Sequence, residues 1–245
     1  MIAVRSAVAR GMRVEVWSDV VCPWCYIGKR NLEAALERFE HRDEVEVVWR
    51  AFELDPGAPA RREGPYAERL ARKYRTTVDE AQAMTDRMTA AAASVGLDFR
   101  FDLAQPGNTF DAHRLLHLAS RHGVQGAMKE RLLAATFTEG EAIGEREVLV
   151  RLATEVGLDG DEAREVLAAG TFADEVRAEE AEAARLEITG VPSFVVDRTF
   201  AISGAHPPEA LGRILDKAWR AANPPALVLA DRGDAPGCDG DACDV

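Results

Sequence analysis

Cysteine is scarce and unevenly placed. There are four in 245 residues, at Cys22, Cys25, Cys238 and Cys243, and none between the two pairs. That excludes a small disulfide-stapled scaffold, which needs bridges throughout the chain. Long apolar runs are missing too, and none reaches the ~18 residues of a membrane span. The segment Met1–Gly11 carries Arg5 and Arg10 but lacks the apolar run of about 7–15 residues that a secretory signal requires. An excess of positive charge is absent: 42 Asp and Glu against 30 Lys and Arg leave a net charge of −12. Such acidity disfavours phosphate backbones, so neither nucleic acid nor a membrane is an expected partner. Lysine is rare, four residues against 26 arginines, a bias that reads as codon usage and carries no mechanism. The expectation is a cytoplasmic protein, in a reducing compartment where cysteine pairs tend to be catalytic, sensing or metal-binding.

The composition is 47% hydrophobic and 29% charged, an ordinary globular balance for one or two domains. Arg13–Ser18 alternates charged and apolar residues as a strand does, and Leu32, Ala35, Leu36 and Phe39 recur at helical spacing after Cys22. Val45–Phe52, rich in Val and aromatics, reads as a second strand. From about Gly64 to Glu187 the pattern is helical and Ala-rich. Thr77-Val-Asp-Glu80 has the form of a capping box, with weaker helix starts at Asp159-Gly-Asp-Glu162 and Thr171-Phe-Ala-Asp174. Gly123, Gly140, Gly157 and Gly170 fall where helices end in the left-handed conformation. Short strands at Ser193–Val196 and Thr199–Ser203 follow, then a helix opened by Pro207-Pro208 and ended by Asn223-Pro-Pro225. Strands at both ends around a helical middle imply one α/β sheet interrupted by a large all-helical insertion. The expected segments are 12–60 and 188–222 for the sheet-bearing halves, 61–187 for the insertion, and 223–245 for a C-terminal tail.

The motif Cys22-Pro23-Trp24-Cys25 lies between a strand and a helix, where a C-x-x-C reads as thioredoxin-like redox chemistry. A thiol at a helix N-terminus meets unpaired amides and the positive end of the dipole, which favour its thiolate. The thiolate is the nucleophile of disulfide exchange. Cys22 is therefore the expected attacking residue and Cys25, one turn inside, the resolving one. Pro23 suits the first helical turn, where a missing N–H costs nothing. Trp24 is either a substrate contact or simple surface packing. Zinc is the alternative for such a pair, but a structural site wants four ligands and none stands near Cys22, so no metal is expected. Gly190-Val191-Pro192-Ser-Phe194 precedes the third strand. In a thioredoxin fold this loop packs beside the cysteines with Pro192 cis, leaving Val191 to pair with an extended substrate; an ordinary trans proline is the alternative.

Val16-Trp-Ser-Asp-Val-Val-Cys22-Pro-Trp-Cys25-Tyr-Ile-Gly28, together with Thr189–Phe194, Ile202-Ser-Gly-Ala205 and Asn108–Leu115, resembles the DsbA-family oxidoreductases of the FrnE type. The resemblance spans roughly Met12 to Ala222. It implies a thioredoxin fold with a helical insertion, no cofactor, and thiol–disulfide oxidoreductase or isomerase activity on protein substrates. A further thiol partner that reduces or oxidises the pair, and a homodimer, are implied by analogy. Proteins similar in fold include 2-hydroxychromene-2-carboxylate isomerases and kappa-class glutathione transferases, so a thiol-cofactor-dependent isomerase or transferase of small aromatic or polyketide-like molecules is the alternative. Those usually carry Ser at the first cysteine; both cysteines are present here. The chain has His206 where the group more often has Gln.

Cys238-Asp-Gly-Asp-Ala-Cys243 forms a C-x4-C pair in a tail with five aspartates and one arginine from residue 231 onward. It is a candidate redox relay that resets Cys22–Cys25, an inert tail, or a metal ligand set. Ala226–Ala230 is a candidate edge strand anchoring it. Asp19 is either a proton shuttle for Cys25 or a turn residue. His113 and His117, four apart, read as the polar edge of a packed helix, Asn108 and Thr109 as its cap, and Trp17, Trp49 and Phe52 as core.

Overall fold

The computed structural model describes residues 10–224. Cys238, Cys243 and Ala226–Ala230 therefore lie outside the described residues, as do residues 1–9. The chain begins with strand β1 (Met12–Ser18), helix α1 (Pro23–Glu37) and strand β2 (Val45–Ala51). Seven helices follow: α2 (Tyr66–Tyr74), α3 (Val78–Ala93), α4 (Phe110–Arg121), α5 (Gln125–Ala134), α6 (Arg146–Glu155), α7 (Gly160–Ala169) and α8 (Ala173–Arg185). Then come β3 (Ser193–Val196), β4 (Phe200–Ser203) and α9 (Pro208–Ala222). The sheet runs β2-β1-β3-β4. β1 and β2 are parallel, from Met12 opposite Val45 to Ser18 opposite Ala51, joined by a crossover through α1. β3 lies antiparallel on the other edge of β1, with Trp17 opposite Ser193, and β4 completes a hairpin. This is a thioredoxin-like sheet with the helices α2–α8 inserted between β2 and β3.

β1 is covered on both faces, which is why every residue but Arg13 is buried. Val14 and Val16 pack against Leu32 and Ala35 of α1 and Leu211 and Leu215 of α9. Trp17 packs on the opposite face with Ala183 of α8 and Val195. The insertion has its own aliphatic core, including Leu115, Leu118, Met128, Leu132, Leu149 and Leu152. Tyr26 and Ile27 of α1 enter a smaller aromatic cluster with Phe99 and Phe137. Thus α1 belongs to both layers, and its N-terminus lies where they meet.

The local signals hold in most places. The Thr77 side chain accepts from the Glu80 N–H while the Glu80 carboxylate takes the Thr77 N–H, completing the capping box. Asp159 caps α7, and Gly123, Gly140, Gly157 and Gly170 all have φ between 72° and 89°. Thr171 does not cap α8. Phe172 takes the N-cap position in the left-handed conformation, φ 65°. Its ring stacks on His117 and lies 4.4 Å beneath the Arg121 guanidinium, so burial of the ring outweighs the local capping preference. The stretch between α3 and α4 is non-helical, within the section whose helical, Ala-rich pattern predicts several helices. Among the described residues no helix is long and apolar enough to cross a membrane.

Candidate active site

Cys22 occupies the N-cap of α1 with φ −97° and ψ 112°, and Pro23 opens the first turn. The Cys22 Sγ–H is directed at the Val191 carbonyl, 3.6 Å away. Val191–Pro192 is a cis peptide bond, and Gly204 N–H closes the same loop onto Pro192 O at 2.7 Å. Gly28, two turns into α1, lies directly beneath. A Cβ there would stand 2.9 Å from Pro192 Cγ and 3.3 Å from the Phe194 ring, so the close approach of helix and loop depends on glycine. Both cysteines are buried. Trp24, by contrast, is 42% exposed and borders the Cys22 side of the helix start.

Cys25 lies one turn deeper. Burial pushes its thiol well above the ordinary value, the adjacent Cys22 adds to this, and Lys129 and the Asp19 N–H oppose it. Lys129 of α5 is fully buried under the two cysteines. Its ammonium donates to Ser18 O at 3.3 Å and is pushed down to about 8 by burial, against the opposing pull of Cys25, Asp19 and Cys22. Asp19 is fully buried as well and accepts the Leu54 N–H on Oδ2 at 2.8 Å. Burial disfavours its charged form, but His113, the Leu54 amide and Lys129 together hold its carboxyl below the ordinary range. His113 Nε2 stands 3.4 Å from Asp19 Oδ1 but is too poorly aligned for a hydrogen bond. Asp19 Oδ1, Ser18 Oγ and both ring nitrogens of His113 have no hydrogen-bond partner among the described residues. The ionised Asp19 thus pins the β2–α2 loop through Leu54; it does not cap α1.

Beside this underside, Glu130 of α5 receives Tyr26 Oη at 2.6 Å and Lys29 and Arg30 of α1. These partners outweigh burial and lower its carboxyl to about 2. Adjoining Val21, the residue before Cys22, a cleft of about 750 Å³ opens, lined also by Leu54, Tyr66, Arg69, Lys73 and Thr109 among others. The half-buried Tyr66 lies within the field of Cys22, and burial pushes its phenol above the ordinary value. The loop forming one wall is seated on two glycines. Any Cβ at Gly107 or Gly144 would occupy the space taken by the Ala60 carbonyl, and Asn108 N–H is bonded to Pro59 O at 2.9 Å.

The family model for the DSBA-like thioredoxin domain matches residues 13–216 of this chain, a span that includes the dithiol and the cis-proline loop. The chain belongs to the DSBA-like thioredoxin domain family. Among solved structures, a probable DsbA oxidoreductase of Streptomyces coelicolor is 46% identical with a TM-score of 0.82, over 96% of this chain and 99% of that one. The cytosolic disulfide reductase DsbM of Pseudomonas aeruginosa, solved with GSH, shares the fold at 21% identity and a TM-score of 0.56, over 85% of this chain and 96% of that one. The uncharacterized protein YwbO of Bacillus subtilis is 30% identical over 190 residues, which is 77% of this chain and 88% of YwbO.

Within this DSBA-like domain, Cys22, Pro23, Trp24 and Cys25 share one helix start, and Val191 and Pro192 face it from the loop before β3. Asn108 caps the start of α4, its Oδ1 accepting the Phe110 N–H at 3.0 Å, whereas Thr109 makes no cap bond and is buried against the cleft. His113 and His117 face different carboxylates, Asp19 and Glu179, and no cluster of three metal-binding side chains occurs among the described residues. His113 is therefore more than a polar helix edge: it reaches the underside of the cysteines. Trp17 and Trp49 are core, and Phe52 is partly buried beside Trp17. Lys129 escaped sequence reasoning, although a signal existed. It stands in phase with Met128, Leu132 and Leu133 on α5, an apolar stripe in which a lysine is out of place. The rarity of lysine, attributed above to codon usage, hides two buried examples, Lys29 and Lys129.

Proposed function

We propose that the protein is a thiol–disulfide oxidoreductase and isomerase acting on protein disulfides in a reducing, cytoplasmic setting. The observation that carries this reading is the Cys22 thiol at the α1 N-cap, 3.6 Å from the carbonyl before the cis Pro192, with Cys25 buried behind it. Cys22, as thiolate, attacks one sulfur of a substrate disulfide; a Cys22–substrate disulfide forms and the second substrate sulfur leaves as a thiolate. Cys25 then gives up its proton and attacks Cys22, which forms the Cys22–Cys25 disulfide and releases the reduced substrate. Proton loss from Cys25 is the difficult step, since burial favours its neutral form, and Lys129 is the positive charge placed to assist it. Val191 and Pro192 shape the groove for an extended substrate, and the exposed Trp24 offers it an apolar face. A separate thiol system regenerates the dithiol. Cys238 and Cys243 are proposed as an intramolecular relay to it, slower as nucleophiles because aspartates surround them.

Replacing Cys25 by Ser tests the reading. Insulin reduction and disulfide isomerisation should stall with substrate captured on Cys22, visible as adducts on non-reducing gels. Full activity of that variant refutes the proposal. Retained turnover of a chromene-type substrate by the same variant, with no adducts, would place the protein among thiol-dependent isomerases instead. Adducts between Cys22 and Cys238 or Cys243, trapped during graded oxidation, would establish the relay.

A further inference from the structure

The cleft beside Cys22 has a charge opposite to that of the protein as a whole. Between residues 61 and 75 the chain carries six cations and two carboxylates, a local +4 in a chain of −12. Helix α2 and the loop before it turn this run into one wall, so that five cations, Arg61, Arg62, Arg69, Arg72 and Lys73, line the cleft against three carboxylates, Asp19, Asp55 and Glu63. Not all of these cations are neutralised from within. Arg62 pairs with Asp55, Arg61 with Glu145 at 3.7 Å, and Arg72 with Glu68 at 3.9 Å. Arg69 instead donates to two backbone carbonyls, Gly64 O and Ala104 O, and Lys73 lies 5.7 Å over the Tyr74 ring. Among the described residues neither has a carboxylate partner.

Arg69 is the centre of the arrangement. It is half-buried, so its charge is partly desolvated, and Arg62 and Arg72 crowd it with like charge. Two carbonyls hold its guanidinium in place without cancelling that charge. A cation kept rigid, partly dehydrated and unpaired at a cleft wall gains more from an incoming anion than a freely solvated one does. Cys22 directly follows Val21 of the cleft lining, and its charge acts on Tyr66 of the same lining.

We infer that this cleft is an interaction surface for an acidic polypeptide segment, and that it selects protein substrates whose reactive cysteine is flanked by Asp or Glu. The volume of about 750 Å³ fits a few residues of extended chain, and the row of cations spans several side chains of one rather than a single charge. The inference rests on the proposed exchange at Cys22 and specifies the substrates that reach it. Against a chain of net charge −12, a cationic wall gives an acidic segment a preferred place to dock, which sets register as well as affinity.

The test uses the full-length protein and three disulfide-linked peptides of one length: one with Asp and Glu around the cysteine, one neutral, and one with Lys and Arg. In low salt the acidic peptide should be processed with a kcat/KM about tenfold above the neutral one, and the advantage should disappear by roughly 0.5 M salt as charges are screened. Exchanging the two exposed cations, Arg72→Gln with Lys73→Gln, should remove most of that advantage while leaving the neutral peptide within about twofold. Arg69→Gln, measured alongside with thermal melting as a control for folding, should do the same. Equal rates for the three peptides, or a uniform loss in the variants, overturn the acidic-segment assignment while leaving exchange at Cys22 intact. If no peptide is processed at all, it is the oxidoreductase reading that fails.

Discussion

Two buried polar clusters lie along the same central strand, and they are built on opposite terms. Near the middle of β1, Glu15 accepts Arg50 Nε at 2.9 Å, Arg50 Nη2 at 2.6 Å and Arg198 Nη2 at 2.7 Å. The same Arg50 reaches Glu179, which also takes the Ala51 N–H at 2.7 Å. At the C-terminal end, Ser18, Asp19, His113 and Lys129 are buried as deeply but share few good hydrogen bonds. Buried polar groups are normally satisfied, and those that are not demand a reason. The first cluster ties sheet to insertion with every charge answered. The second keeps charges in reserve beneath two thiols that must gain and lose protons. Completeness marks the structural cluster, incompleteness the chemical one.

Arg50→Met is the sharpest way to break the first. It leaves Glu179 and Glu15 buried with fewer partners, and should destabilise the fold by about 3–5 kcal/mol in urea unfolding, while the exchange rate per folded molecule stays unchanged. A loss of rate at full folding would erase the distinction between the clusters.

Lys129→Met probes the second with the opposite sign. The Lys129 ammonium is held at about 8 by burial, against 10.5 for an ordinary lysine. Between those values the unfolded chain holds a proton the folded one has lost, so stability rises with pH across the window and the full cost is present below pH 8. Methionine should flatten the rise, and its gain at pH 7 stays below the full shift because buried Asp19 loses a positive neighbour. Unfolding measured on the Cys22–Cys25 disulfide form keeps the thiols from titrating. The same variant should resolve mixed disulfides about tenfold more slowly, since Cys25 loses the charge that favours its thiolate. Equal stability with an unchanged rate would make Lys129 a bystander.

Smaller effects sharpen the boundary. Gly28→Ala forces the cis-proline loop away from α1 and should cost about 1–3 kcal/mol, with a lower exchange rate, both read on one sample by melting and insulin reduction. Glu130, lowered to about 2 from 4.5 by Arg30, Lys29 and Tyr26, contributes stability that is present above pH 4.5 and fades as pH falls toward 2. Glu130→Gln should flatten that acid limb by about 1 kcal/mol, a modest figure because the pair is partly solvated.

What could be read beforehand divides by range of interaction. The strand before Cys22, the helix after it, the Thr77 and Asp159 caps and the proline loop are local, each written in neighbouring residues. The Glu15–Arg198 pair joins residues 183 apart, and no periodicity announces it. Phe172 adopts a left-handed conformation because of rings and guanidinium groups from another helix, so Thr171 gave the wrong cap. His113 read as the polar edge of a packed helix, whereas Lys129 went unnoticed among Met128, Leu132 and Leu133 of α5. The basic wall around Arg69 was overlooked for a related reason, since an average of −12 conceals a local excess of the other sign.

The two glycines beneath Ala60 have a bearing on how such a protein could diversify. The loop carrying Arg61 and Arg62 sits as low as it does because Gly107 and Gly144 present only hydrogens to the Ala60 carbonyl. A single methyl at either position would displace that loop and reshape the cleft it lines. The shape of the cleft is thus gauged by two hydrogens at the foot of a loop, and it can drift in evolution while the cysteines and their supporting charges stay fixed.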